Sequence, residues 1–172
     1  MVVLWITGLS AVGKSTVAKA YLRAKKDLSV PTVLLDGDAV RELFGGDLGY
    51  DEQSRNEHIK RIQRLAKFLS DQGLDVVVAA LYSNEQILSV NRTLFLDYFE
   101  VYLKANLNCL KLRENKSLYT KAEKGEIVNV VGVDIKWHEP KFPDLVIQMD
   151  QLRPPLEIAE EIVSAIVLGR NR

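Results

Sequence analysis

The chain has 172 residues, 47% of them hydrophobic, which is one domain's worth of sequence with enough apolar content for a proper core. Lys plus Arg balance Asp plus Glu at 23 each, which argues against a general nucleic-acid binder, and no apolar run approaches the ~20 residues of a membrane span. One cysteine, Cys109, excludes an internal disulfide or multi-cysteine metal site and reads as a small hydrophobe; with a strand entered at once no signal peptide is expected, and the chain reads as cytoplasmic.

The first element is "VVLWIT" (2–7), β-branched and apolar as a buried strand should be. It runs into "GLSAVGKST" (8–16), which fills the pattern G-x-x-x-x-G-K-[ST] with Gly8, Gly13, Lys14 and Ser15. In a phosphate-binding loop (P-loop) of this kind the backbone N–H groups of residues 9 to 15 wrap a β-phosphate. The lysine reaches the β- and γ-phosphates, and the Ser15 hydroxyl takes one Mg²⁺ position. A helix follows at once, its apolar face made by Val17, Ala18, Tyr21 and Leu22, and its N-terminus adds positive dipole at the same spot.

"TVLL" (32–35) is a second strand, ending in Asp36-Gly37-Asp38 at the carboxyl edge of the sheet, where open α/β folds bind ligands. Asp36 is the candidate carboxylate for Mg²⁺, and Asp38 the candidate acceptor of a proton from the attacking hydroxyl. The competing reading makes both aspartates helix caps, which suits Asp38 better, one residue before "AVRELF". A long amphipathic helix is expected over 54–72, with Ser54 and Glu57 as a capping box, Ile59, Ile62, Leu65, Ala66 and Leu69 as its stripe and Gly73 as its stop.

"LDVVVAAL" (74–81) is a third strand, nearly all apolar because both faces are covered. A helix through Val90 and Leu94 leads to a fourth strand at 98–104, and "DLVIQM" (144–149) is a fifth. Pro154 and Pro155 open a last helix with Ala159, Ile162, Val163, Ile166 and Val167 inward and Gly169 closing it. Between the last two strands, residues 104–124 hold six basic side chains, Lys116 among them, against Glu114 and Glu123. They read either as a solvated face or as a basic helical lid, about 107–142, that closes over phosphates. The elements predict a single domain over 1–172, α/β in class, with a doubly wound five-stranded parallel sheet.

"GLSAVGKST", "LLDGDAVR", "DLGY" followed by "R..HIKRI", and "SLYTKAEKGEI" with "GVD" beyond it together resemble adenylylsulfate (APS) kinases over about residues 2–168. The resemblance implies the P-loop kinase fold, and ATP and Mg²⁺ as cofactors, with transfer of the γ-phosphoryl to the ribose 3′-hydroxyl of APS. It implies ATP contacts at Gly8, Leu9, Ser10, Ala11, Val12, Gly13, Lys14, Ser15 and Thr16, with a lid arginine at Arg113. Catalytic or metal roles fall to Lys14, Ser15, Asp36 and Asp38. Substrate contacts fall to Asp38, Arg41, Tyr50, Arg55, His58, Tyr82, Ser83, Lys121 and Val130. Ser83 matches a serine described in that family as a phosphorylated intermediate, although direct in-line transfer suits P-loop chemistry better.

Departures from the family pattern gather on the acceptor side. The usual Ile-Ser-Pro-Tyr-Arg after the third strand is "YSNEQ" (82–86) here, His58 replaces an asparagine, and Val130 replaces a phenylalanine that stacks on the APS adenine. Ala11 replaces a P-loop glycine. Tyr50, Tyr82 and Trp137 are candidates for a replacement stack. The stretch 129–147 also resembles APS-kinase-like proteins of surface-polysaccharide gene clusters, one of which phosphorylates cytidine diphosphoramidate. The partner implied is thus a small nucleotide acceptor, neither nucleic acid nor membrane, and a homodimer is compatible with the chain. A GTPase would need N-K-x-D, for which the nearest stretch is "NKSL", and a non-catalytic regulator would be expected to lack Lys14 or Asp36.

Overall fold

The computed structural model describes residues 1–25, 30–81, 84–114 and 117–170. Five strands, β1 (Val3–Thr7), β2 (Thr32–Asp36), β3 (Asp75–Ala79), β4 (Tyr98–Lys104) and β5 (Leu145–Gln148), form one parallel sheet in the order β2-β3-β1-β4-β5. β1 and β3 are buried along their whole length, which is why both read as continuous apolar runs rather than alternating ones. Helices α1 (Lys14–Ala24), α3 (Glu52–Asp71), α4 (Glu85–Leu94) and α7 (Pro155–Arg170) flank the sheet, α1 packing along α7 and α3 along α4. Shorter helices α2 (Gly37–Leu43), α5 (Leu107–Arg113) and α6 (Leu118–Glu123) lie beyond the carboxyl ends of the strands that precede them.

The register sets the site. Asp36 pairs with Ala79, and Ala79 pairs with Ile6, so the ends of β2, β3 and β1 are level. Two strand spacings put Asp36 about 10 Å from β1 in the sheet, and the loop after β1 must reach sideways to meet it. At the opposite end a buried pin holds the strands. Asp75 accepts from Val2 N at 2.8 Å and from Lys25 Nζ at 2.5 Å, and Lys25 Nζ also donates to Thr32 Oγ1 at 2.8 Å.

Helices α3 and α7 differ from expectation. Helix α3 starts two residues early because Asp51 is its cap; the Asp51 carboxylate accepts from Ser54 N at 2.9 Å and Ser54 Oγ at 2.6 Å, while Glu57 pairs with Lys60. Gly169 does not close α7, which runs through it to Arg170. The inward face of α7 includes Ile158, and Val167 is exposed because it lies off the stripe made by Ile158, Ala159, Ile162 and Ile166.

Candidate active site

Gly8 leaves β1 so close to the neighbouring strand that a Cβ would sit 2.5 Å from Leu103 O, and Gly13 turns into α1 with φ 103°, a region closed to most side chains. Leu9 and Val12 bury their side chains in the core, which anchors the loop and leaves its backbone to face outward. Gly13 is the N-cap of α1 and brings no side-chain acceptor, so the first-turn N–H groups are left for an anion. Lys14 Nζ donates to Gly8 O and Leu9 O, both at 2.9 Å. Burial pulls its ammonium down from 10.5 to about 8, opposed by the nearby charges of Asp38 and Asp36.

Asp36 closes the distance set by the sheet. Ser15 Oγ donates to its Oδ2, and Asp38 N donates to its Oδ1 at 3.0 Å. Asp36, not Asp38, is therefore the N-cap of α2, against the expectation that capping suits Asp38 better: the cap is the residue before the first helical one, and α2 begins at Gly37. Asp38 gives that cap its backbone N–H and keeps its carboxylate out of it. Among the described residues no group of three or more His, Cys, Asp and Glu is arranged to hold a metal ion. One hydroxyl and one carboxylate, completed by substrate phosphates, nevertheless suit a hard divalent cation in a phosphoryl-transfer site.

Around these groups lies a cavity of about 860 Å³, within the range of ligand pockets. Ser10, Ala11, Gly13, Lys14, Ser15 and Thr16 of the loop and α1 line it together with Asp36, Asp38, Arg41, Tyr50, Arg55, His58 and Val130. Arg41 Nη1 donates to Leu48 O and Gly49 O, both at 2.8 Å, and holds the loop that carries Tyr50. The half-exposed Tyr50 ring has the Arg41 guanidinium 4.6 Å and that of Arg55 5.4 Å from its centroid. Arg55 also bonds Tyr50 O at 2.7 Å and, across the cavity, Asn129 O at 2.8 Å.

His58 is 6% exposed, with Nε2 2.9 Å from Gly37 O. A carbonyl only accepts, so Nε2 carries the proton and Nδ1 keeps a lone pair; that nitrogen is buried without a partner. Burial, followed by the charge of Arg41, holds the imidazole below its ordinary value and hence neutral. Val130 is 4% exposed in a turn that the Asp134 carboxylate ties by accepting from Asn129 N and Val130 N, both at 2.5 Å.

The basic segment is more neutral than its composition suggests. Lys111 pairs with Glu123, and Lys104 with Glu139 at 2.7 Å. Arg113 lines the cavity and donates to Met149 O and, at 2.5 Å, to Asp150 O. Lys121 is exposed and off the cavity wall, although Leu118, three positions earlier on α6, lines it. Trp137 is also off that wall: its Nε1 donates to Tyr102 OH at 3.3 Å, which removes it as a base stack. Tyr82 and Ser83 lie outside the described residues. Sequence reasoning missed Tyr119, Glu114 and Asn129. The first stood inside the quoted "SLYTKAEKGEI", where a lone aromatic in a short charged helix was a usable signal.

Residues 1–148 match the adenylylsulphate kinase family. The chain is 38% identical over 161 residues to cytidine diphosphoramidate kinase from Campylobacter jejuni, covering 94% of this chain and 93% of that one. It is 43% identical over 145 residues to adenylyl-sulfate kinase from Vibrio cholerae, covering 83% of this chain and 67% of that one. Its fold superposes on the APS kinase of Mycobacterium tuberculosis in complex with AMPPNP and APS with a TM-score of 0.87, at 33% identity and 96% coverage of both chains.

Proposed function

The chain belongs to the adenylylsulphate kinase family, and we propose that it transfers the γ-phosphoryl of Mg-ATP to a ribose hydroxyl of a nucleotide-type acceptor. The observation that carries this reading is the hydrogen bond between Ser15 Oγ and the Asp36 carboxylate, beside Lys14 and an uncapped α1 N-terminus. Loop N–H groups and Lys14 hold the phosphates, and Lys14 neutralises charge that grows on the β–γ bridging oxygen as its bond to phosphorus breaks. Ser15 and Asp36 would hold Mg²⁺, which when bound would supply positive charge against that of the phosphates. Asp38 takes the proton of the acceptor hydroxyl as its oxygen bonds to the γ-phosphorus. The lid is assigned to about 107–142, with Arg113 on the cavity wall as its cation toward the phosphates.

On the acceptor side Arg41 and Arg55 supply cations for a diphosphate or phosphosulfate, and Tyr50 a ring for the base. APS is the first acceptor to test. Cytidine diphosphoramidate is the second, favoured by the His58 Nδ1 lone pair. An asparagine amide there can donate to a sulfate oxygen, whereas a neutral imidazole with its proton on Nε2 offers only an acceptor, which a phosphoramidate N–H₂ can fill. ADP release measured over both compounds and related nucleotides, with Lys14→Ala as the control, tests the reading. No release with any of them, or undiminished release from the variant, overturns it.

No helix among the described residues is long and apolar enough to cross a membrane, and we assign the reaction to the cytoplasm, where ATP is supplied. The homodimer is an assembly to be tested by sedimentation.

A further inference from the structure

Tyr119 is fully buried on α6, yet its hydroxyl is spent on the P-loop: Tyr119 Oη donates to Ser10 O at 2.9 Å, across 109 positions of sequence. Its own backbone N–H donates to Glu114 Oε1 at 2.9 Å, which fixes the start of α6. In a trans peptide the C=O and N–H point in opposite directions. The Ser10 carbonyl and the Ala11 N–H share one such peptide. Ser10 and Ala11 line the cavity and Tyr119 does not, so a carbonyl drawn to Tyr119 turns the Ala11 N–H toward the cavity.

The next torsion agrees. Ala11 has φ 63°, in the left-handed region that an alanine occupies only when its surroundings hold it there. We propose that Tyr119 is a positioning residue that locks the Ser10–Ala11 peptide, so that the Ala11 N–H stands ready as a phosphate donor. The inference rests on the reading of this loop as an ATP site. It adds that the donor set is completed from α6: the segment that covers the site also shapes the loop beneath it.

Calorimetric titration with Mg-ATP, without acceptor, tests this apart from turnover. Tyr119→Phe keeps the ring and removes one hydrogen bond, so ATP is expected to bind about 3- to 10-fold more weakly. The same change made in an Ala11→Gly background is expected to cost less than about twofold, because glycine holds a positive φ without help. Unchanged affinity in Tyr119→Phe overturns the proposal, as does an equal loss in both backgrounds, since a packing defect ignores residue 11. Wild-type protein that fails to bind Mg-ATP overturns the functional reading itself, a result distinct from either.

Discussion

The carboxylate of Asp36 holds two donors from separate parts of the chain, Ser15 Oγ on one oxygen and Asp38 N on the other. A residue so placed is both a helix cap and a metal-ligand candidate, and a substitution must separate the two. Asparagine caps about as well as aspartate but carries no charge. Asp36→Asn is therefore expected to melt within a few degrees of wild type while its half-saturating Mg²⁺ concentration rises by about tenfold, the worth of one charge-assisted interaction. Magnesium titration of ADP release beside a thermal melt checks both halves. An unchanged magnesium requirement would reduce Asp36 to a cap.

Asp38 offers the complementary test. Its carboxylate takes no part in capping α2, so Asp38→Asn should leave stability alone. As the proton acceptor it contributes about 10²–10⁴-fold to turnover. kcat is expected to fall by that order, with the KM for ATP within about twofold of wild type. A variant with near-normal kcat assigns the proton to another group.

Much of this was legible in the sequence because local rules agreed with one another. The fourth strand, 98–104, has the bounds that its apolar content implies, and the glycines of 8–13 announce their backbone demands directly. What stayed hidden was decided by distant partners. Asp51 and Ser54 compete to cap α3, and only the three-dimensional turn shows that the Asp51 carboxylate takes both Ser54 donors. Arg41 and Arg55 were legible as cations, but not as the clamp on residues 48–50 and 129 that shapes the acceptor side. The bond from Tyr119 to Ser10 spans most of the chain, beyond any pattern of period or spacing.

The Lys14 amine gives a pH prediction. Its value of about 8 lies below the ordinary 10.5, so the free protein loses this cation as pH rises through about 8. kcat/KM for ATP reports the free enzyme and is expected to fall above that point, approaching tenfold per pH unit. With phosphates beside it the ammonium is restored, so kcat should stay level to higher pH. The linkage has the opposite sign for folding: between about 8 and 10.5 the unfolded chain binds more protons, so this group's contribution to stability rises with pH. Rate profiles at saturating and at low ATP separate the two, and a break in kcat alone at pH 8 would contradict the assignment.

The acceptor preference should follow residues 58 and 130. Val130 is buried in the cavity wall and offers no ring, and the His58 Nδ1 offers a lone pair but no donor. Phenylalanine at 130 adds a base stack of about 1–3 kcal/mol. Asparagine at 58 restores an amide donor, with about 1 kcal/mol expected from one hydrogen bond. His58→Asn with Val130→Phe is thus expected to raise kcat/KM for APS by about 30- to 700-fold. kcat/KM for cytidine diphosphoramidate should change by less than about threefold, because the asparagine amide carries an oxygen acceptor beside its donor. The turn around Val130 is tied by Asp134 and Arg55, so the larger ring must be accommodated without breaking those bonds. The single His58→Asn variant, which adds no bulk, guards against that complication. If neither variant moves the ratio of the two kcat/KM values, selection lies elsewhere, with the "YSNEQ" stretch after the third strand the next place to substitute.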